Sequence, residues 1–114
     1  MALALNVFQT VTEVVTDVEQ EVYTAPVGYT GVFLLAQVTN ISSGSEDITV
    51  SHRRNVGGVN VDTELMKQFP ISGNDTLNLF TGKLILENGD KLVLSATLNT
   101  GNLKFVGSIL ETLN

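Results

Sequence analysis

The chain has 114 residues, with twelve Asp or Glu against six Lys or Arg, a formal charge of −6, one His, no Cys and no Trp. That length suits one domain able to bury a core without staples, and the lack of cysteine excludes a disulfide framework and thiolate metal sites. The acidic balance repels phosphate backbones, and Arg53, Arg54, Lys67, Lys83, Lys91 and Lys104 form no run, so no nucleic-acid partner is expected.

In chain order, Met1 to Asn6 lacks a basic flank and its apolar run is short, and no apolar stretch approaches about 18 residues. Neither a signal peptide nor a membrane span is expected. Val11, Val14, Val15, Val18 and Val22 then fall at helical spacing, and Thr10-Val-Thr-Glu13 matches a capping box, so an amphipathic helix competes here. The Val and Thr content favours two strands instead, about 6–16 and 19–25. Pro26 and Gly28 turn the chain into Val32 to Val38, apolar on both faces until Gln37, which reads as a central strand covered by a second sheet or another subunit.

Ile41 to Ser45 and Asn55 to Gly58 read as short loops. Ile48, Val50 and His52 alternate with Thr49, Ser51 and Arg53, and Val59, Val61, Thr63 and Leu65 alternate with Asn60, Asp62, Glu64 and Met66. Each pattern predicts a strand with one wet face. Pro70 ends the second of these before the turn Ser72-Gly-Asn-Asp75. Leu84, Leu86, Leu92, Leu94 and Ala96 set the phase of two more strands, expected to meet as a hairpin at a type I′ Asn88-Gly89 turn. The run Leu103 to Leu113 is expected to close the sheet.

The predicted fold is all-β, an antiparallel, jelly-roll-like β-sandwich of about eight strands in a single domain, 1–114, with 1–22 as an N-terminal arm or pair of edge strands. Its predicted core holds Val32, Leu34, Ala36, Val38, Ile48, Val50, Leu84, Leu86, Leu92, Leu94 and Ala96.

Reactive groups are sparse. His52 is the one residue whose ordinary pKa lies near neutrality, no G-x-S-x-G elbow exists, and a strand histidine at a sheet face accounts for it. Glu87, Asn88 and Asp90 could attract calcium weakly but are more simply turn formers. No catalytic, metal or cofactor site is expected.

Charge is unevenly placed, since every Lys and Arg lies at or after Arg53 while Glu13, Asp17, Glu19 and Glu21 precede it. Guanidinium forks favour carboxylates, so Glu13, Asp17, Glu19 or Glu21 of one subunit is expected to face Arg53 and Arg54 of a neighbour. The start of the chain would then dock outward, and removing residues 1–18 would leave the sandwich folded.

The segments Glu21-Val-Tyr-Thr-Ala-Pro-Val-Gly-Tyr29, Val32 to Asn40, Asp47-Ile-Thr-Val-Ser51, Asn74-Asp-Thr-Leu-Asn-Leu79 and Lys83-Leu-Ile-Leu-Glu-Asn-Gly-Asp-Lys-Leu92, in that order, resemble small β-sandwich virion proteins of tailed bacteriophages. The end, Ile109-Leu-Glu-Thr-Leu-Asn114, looks most like structural proteins of contractile-tailed phages that infect cyanobacteria. The resemblance implies a non-enzymatic capsid decoration, neck, tail or fibre subunit, assembled in the host bacterial cytoplasm and held in the virion. Its implied partners are copies of itself, as a trimer or higher oligomer, and other virion proteins, with no nucleic acid and no membrane. A ligand- or receptor-binding module on a host-facing fibre is the alternative.

Overall fold

The computed structural model describes residues 5–114, in nine strands: β1 (Asn6–Val15), β2 (Gln20–Thr24), β3 (Tyr29–Asn40), β4 (Glu46–Val56), β5 (Val59–Ile71), β6 (Asp75–Asn78), β7 (Leu84–Leu86), β8 (Lys91–Ala96) and β9 (Leu103–Leu113). The competing helix is absent. Residues 6–15 and 20–24 are strands, as their β-branched content favours. Only Met1 to Ala4 of the expected arm lie outside the described residues.

Two antiparallel sheets face each other. The first runs β1-β9-β3-β6, with β7 also beside β3, and the second runs β2-β8-β4-β5. Because β6 and β7 pair with successive stretches of the same β3 edge, at residues 37–40 and 31–33, they act as one broken strand. Eight strand positions, wound so that the chain passes from one sheet to the other, make the jelly roll. β9 does not close the first sheet from outside; it lies between β1 and β3, paired with β1 along all of Asn6 to Val15.

The core between the sheets holds Val38, Ile48, Val50, Leu86, Leu92 and Leu94, with Ala36 and Ala96, all buried. Phe33 sits at its centre, edge-on to Tyr23 at 5.4 Å and to Phe80 at 6.0 Å between ring centroids. Val32 and Leu34 do not belong to the core. A bulge between Phe33 and Leu35 inserts Leu34 as an extra residue, so the inward phase passes from Gly31 and Phe33 to Ala36 and Val38. Leu34 is left 42% exposed, and Leu84 packs against the core while only partly buried.

Three further expectations are corrected. β7 and β8 do not form a hairpin: Glu87 to Asp90 is a corner between the sheets, closed by Asp90 N–H donating to Glu87 O at 2.8 Å. Positive φ occurs at Gly89 (85°) and not at Asn88, so a type I′ turn is not formed there. The primed two-residue hairpin is at Gly57-Gly58, with φ of 60° and 85°, between Val56 and Val59. β5 is an edge strand with almost no buried face, Val59 being 63% exposed, because nothing lies across from its first half. Pro70 remains inside β5, opposite Asp47, at an edge position that tolerates a missing donor.

Residues 6–15 form an intramolecular strand rather than a detached arm. Val15 is buried in the core and Val11 packs against it, with Val11 opposite Gly107 and Val15 opposite Leu103. Removing residues 1–18 should therefore destabilise the sandwich rather than leave it folded. Buried polar groups tie the ends. Asn40 donates to Gly44 O and Ile71 O at 2.8 and 2.9 Å, and Glu46 accepts from Thr100 and Asn102 at 2.6 and 3.0 Å.

Leu94, fully buried, should cost about 2–5 kcal/mol when cut to Ala. A Cβ at Gly107 would lie 2.8 Å from the rings of both Phe33 and Phe105, so Gly107→Ala should cost about 1–3 kcal/mol by overpacking. Urea unfolding of the two variants, read by circular dichroism, checks these values.

Candidate interaction surface

Successive residues of a strand point to opposite faces, so Arg53 and Arg54 cannot act as one basic fork. Arg53 lies on the outer face of the second sheet. Its Nε and Nη2 donate to the two carboxylate oxygens of Asp62 at 2.7 and 2.8 Å, and its other contacts are Glu19 at 3.0 Å and Glu21 at 3.3 Å. The guanidinium beside Asp62 holds that carboxyl below its usual range. The expected pairing of acidic N-terminal residues with an arginine thus exists, but within one chain.

Arg54 takes a different set, at the end of the sandwich where the β7–β8 corner turns. It donates to Asp90 at 3.0 and 2.7 Å and to Glu87 at 2.6 Å, while His52 Nε2 lies 3.0 Å from Asp90 Oδ2. Glu87 N–H also donates to Asp90 at 3.0 Å. Asp90, 2% exposed, is held below the ordinary carboxylate range by Arg54 first, with His52 and the Glu87 amide adding to it. The network contains two carboxylates, a guanidinium and an imidazole. The Glu87 and Asp90 carboxylates face a cation already supplied by the chain, and among the described residues no group of three or more His, Cys, Asp or Glu could hold a metal ion.

Of the remaining expected interface residues, Glu13 accepts from Gln20 at 3.3 Å at the sheet edge, and Asp17 is exposed in the β1–β2 turn. Glu19, Glu21 and Arg53 are brought together; Glu13, Asp17 and Arg54 are not part of that cluster.

The surface that sequence reasoning missed is the outer face of the first sheet. Its register places Phe8, Leu110, Val32 and Ile85 side by side across four strands. Phe8 is 73% and Ile85 58% exposed. The rows beside them carry Asn6, Thr112 and Thr30 on one side, and Thr10, Ser108 and Leu35 on the other. Farther along, Thr12, Glu13, Val14, Thr39, Lys104, Phe105 and Val106 line a shallow hollow of about 480 Å³. Lys104 is the one charged strand residue in the outward phase of this sheet, whereas the second sheet's outer face carries Glu21, Arg53, Asp62, Glu64 and Lys91. The two outer faces therefore differ in kind. A second apolar feature, an open groove of about 600 Å³, lies at the edge between β5 and β6 and is lined by Leu34, Leu35, Met66, Phe69 and Phe80 among others.

The carboxylates of Asp90, Asp62 and Glu46 are all depressed in the folded chain, so each contributes stability above its unfolded pKa, and that contribution is lost as pH falls through the folded value. Thermal unfolding should move to lower temperature as pH drops below about 4, where unfolded Asp and Glu take up protons first. Asp90→Ala, which strips a buried acceptor from the Glu87 amide, should cost about 1–3 kcal/mol at neutral pH and flatten that acid slope. Comparison with protein-family models, with curated proteins and with solved structures finds no match for this chain.

Proposed function

We propose that the chain is a non-enzymatic structural subunit of a tailed-bacteriophage virion, part of the capsid surface, neck, tail or fibre, working through contacts with copies of itself and with other virion proteins. The observation that carries this reading is the unequal pair of outer faces. One is charged and internally paired, suited to water. The other is nearly uncharged, with an apolar row spanning four strands, so a subunit contact there would bury apolar surface and only one charged strand residue per copy.

Two further points support it. The jelly roll is a common architecture of viral shell domains and also of lectins, an analogy of fold alone. The titratable groups that could do chemistry are engaged in structural pairs, His52 and Asp90 above all. The receptor-binding alternative would be favoured by an exposed aromatic cluster, but the exposed aromatics among the described residues, Phe8 and Phe69, lie on different sheets. The net charge of −6 favours protein surfaces over nucleic acid or anionic lipid headgroups as partners.

Quantitative mass spectrometry of purified particles from the phage that carries this sequence tests the proposal. Many copies per particle are expected, in fixed ratio to the major capsid protein. Absence from particles, with the chain confined to the infected-cell lysate, would contradict it.

A further inference from the structure

We infer that the nearly uncharged outer face of the first sheet docks a second copy of this chain about a two-fold axis that crosses the strands near Val11 and Gly107, each copy setting Phe8 into the hollow lined by Glu13, Val14, Lys104 and Val106 of the other. This deepens the subunit reading above by naming the partner and the contact.

The face carries both halves of a self-complementary pair. Phe8, 73% exposed, stands at one end of β1, and the hollow lies at the other end of the same β1–β9 ladder. Val11 and Gly107 face each other across that ladder, midway between Phe8 and Val14 on β1 and between Leu110 and Lys104 on β9. A two-fold axis there exchanges the two ends of the face, so that a residue contacting a second residue is contacted by it in return, as an isologous interface requires.

Charge selects the same occupant. Lys104 would meet the Phe8 ring of the second copy, a cation beside an aromatic, and would have no like charge opposite it. Most acidic residues lie on the second sheet, in the turns or inside the sandwich; Glu13 on β1, which lines the hollow, and Asp75 on β6 are the exceptions, and the axis sets Glu13 opposite Gln9 of the second copy rather than opposite another carboxylate. A highly charged partner would instead leave its own charges desolvated against Thr, Ser, Asn and Gln.

Three strands of ten to twelve residues, with β6 and β7 of four and three residues as the fourth position, all about 4.8 Å apart, give a face of roughly 600 Å² per copy, near the lower bound of specific interfaces. The rows between the knob and the hollow, Thr10, Ser108 and Leu35, are small or apolar and leave the middle of the contact flat.

Analytical ultracentrifugation of the full chain and its variants tests the inference. The parent chain should sediment as a dimer. Phe8→Lys, which removes the knob and sets a cation against Lys104, should weaken pairing by roughly tenfold or more. Lys104→Glu added to Phe8→Lys should restore it, since the new pair is of opposite charge, whereas Phe69→Ser, in the β5–β6 groove, should leave the dimer intact. Circular dichroism should show every variant folded, because Phe8, Lys104 and Phe69 are exposed. A monomeric parent chain, a dimer untouched by Phe8→Lys, or a dimer broken only by Phe69→Ser would overturn the inference. Particle composition separates the two readings: a monomer found in virions defeats the pairing alone, and a dimer absent from virions defeats the virion role alone.

Discussion

The phase of β9 governs the molecule. Leu103, Phe105, Gly107, Ile109 and Glu111 point inward and Lys104, Val106, Ser108, Leu110 and Thr112 outward, and because β9 pairs with both β1 and β3 it imposes that division on its neighbours. The bulge at Leu34 keeps β3 in step with it. A one-residue slip would send Phe33 and Phe105 to solvent and bring Lys104 into the core. Small residues make the phase workable: Gly107 leaves space for the rings of Phe33 and Phe105, and Gly31 leaves space for the ring of Tyr23.

Tyr23 uses that space to reach the buried Glu111, donating to it at 2.6 Å, with Gln9 as a second donor. Burial and the nearby carboxylate hold the Tyr23 hydroxyl protonated well above its ordinary range, so it stays a donor. Polar ties of this kind close both ends of the sandwich: Glu111 at one, Asn40 and Glu46 at the other. The second sheet closes with charge instead, through Arg53 on its outer face and Arg54 at the corner. Both arginines are paired within the chain rather than with a neighbour's acidic residues, so the assembly surface proposed above is the nearly uncharged face of the first sheet.

Much of the fold was legible in the sequence, because strand alternation is a local signal. Ile48, Val50, Leu92 and Leu94 declare their inward phase, and Val and Thr content decides for strands over a helix in residues 6–24. What failed depends on non-local pairing. Leu34 looks inward until the bulge opposite Ser108 is known, and Asn88-Gly89 has hairpin chemistry although its strands enter different sheets. Val59 and Val61 alternate like core residues but lie in the half of β5 that none of the described strands covers. The apolar row of Phe8, Leu110, Val32 and Ile85 is drawn from four separate segments, so no window of sequence contains it; only the register does.

Because the chain has no cysteine of its own, engineered disulfides report contacts between copies without background. The decisive measurement mixes two singly substituted chains, Phe8→Cys and Val14→Cys, under mild oxidation and weighs the products by mass spectrometry. The mixed disulfide should dominate, because the proposed axis would set residue 8 of one copy over residue 14 of the other. Dominant Phe8→Cys homodimers, or no cross-link between the two chains, would contradict it.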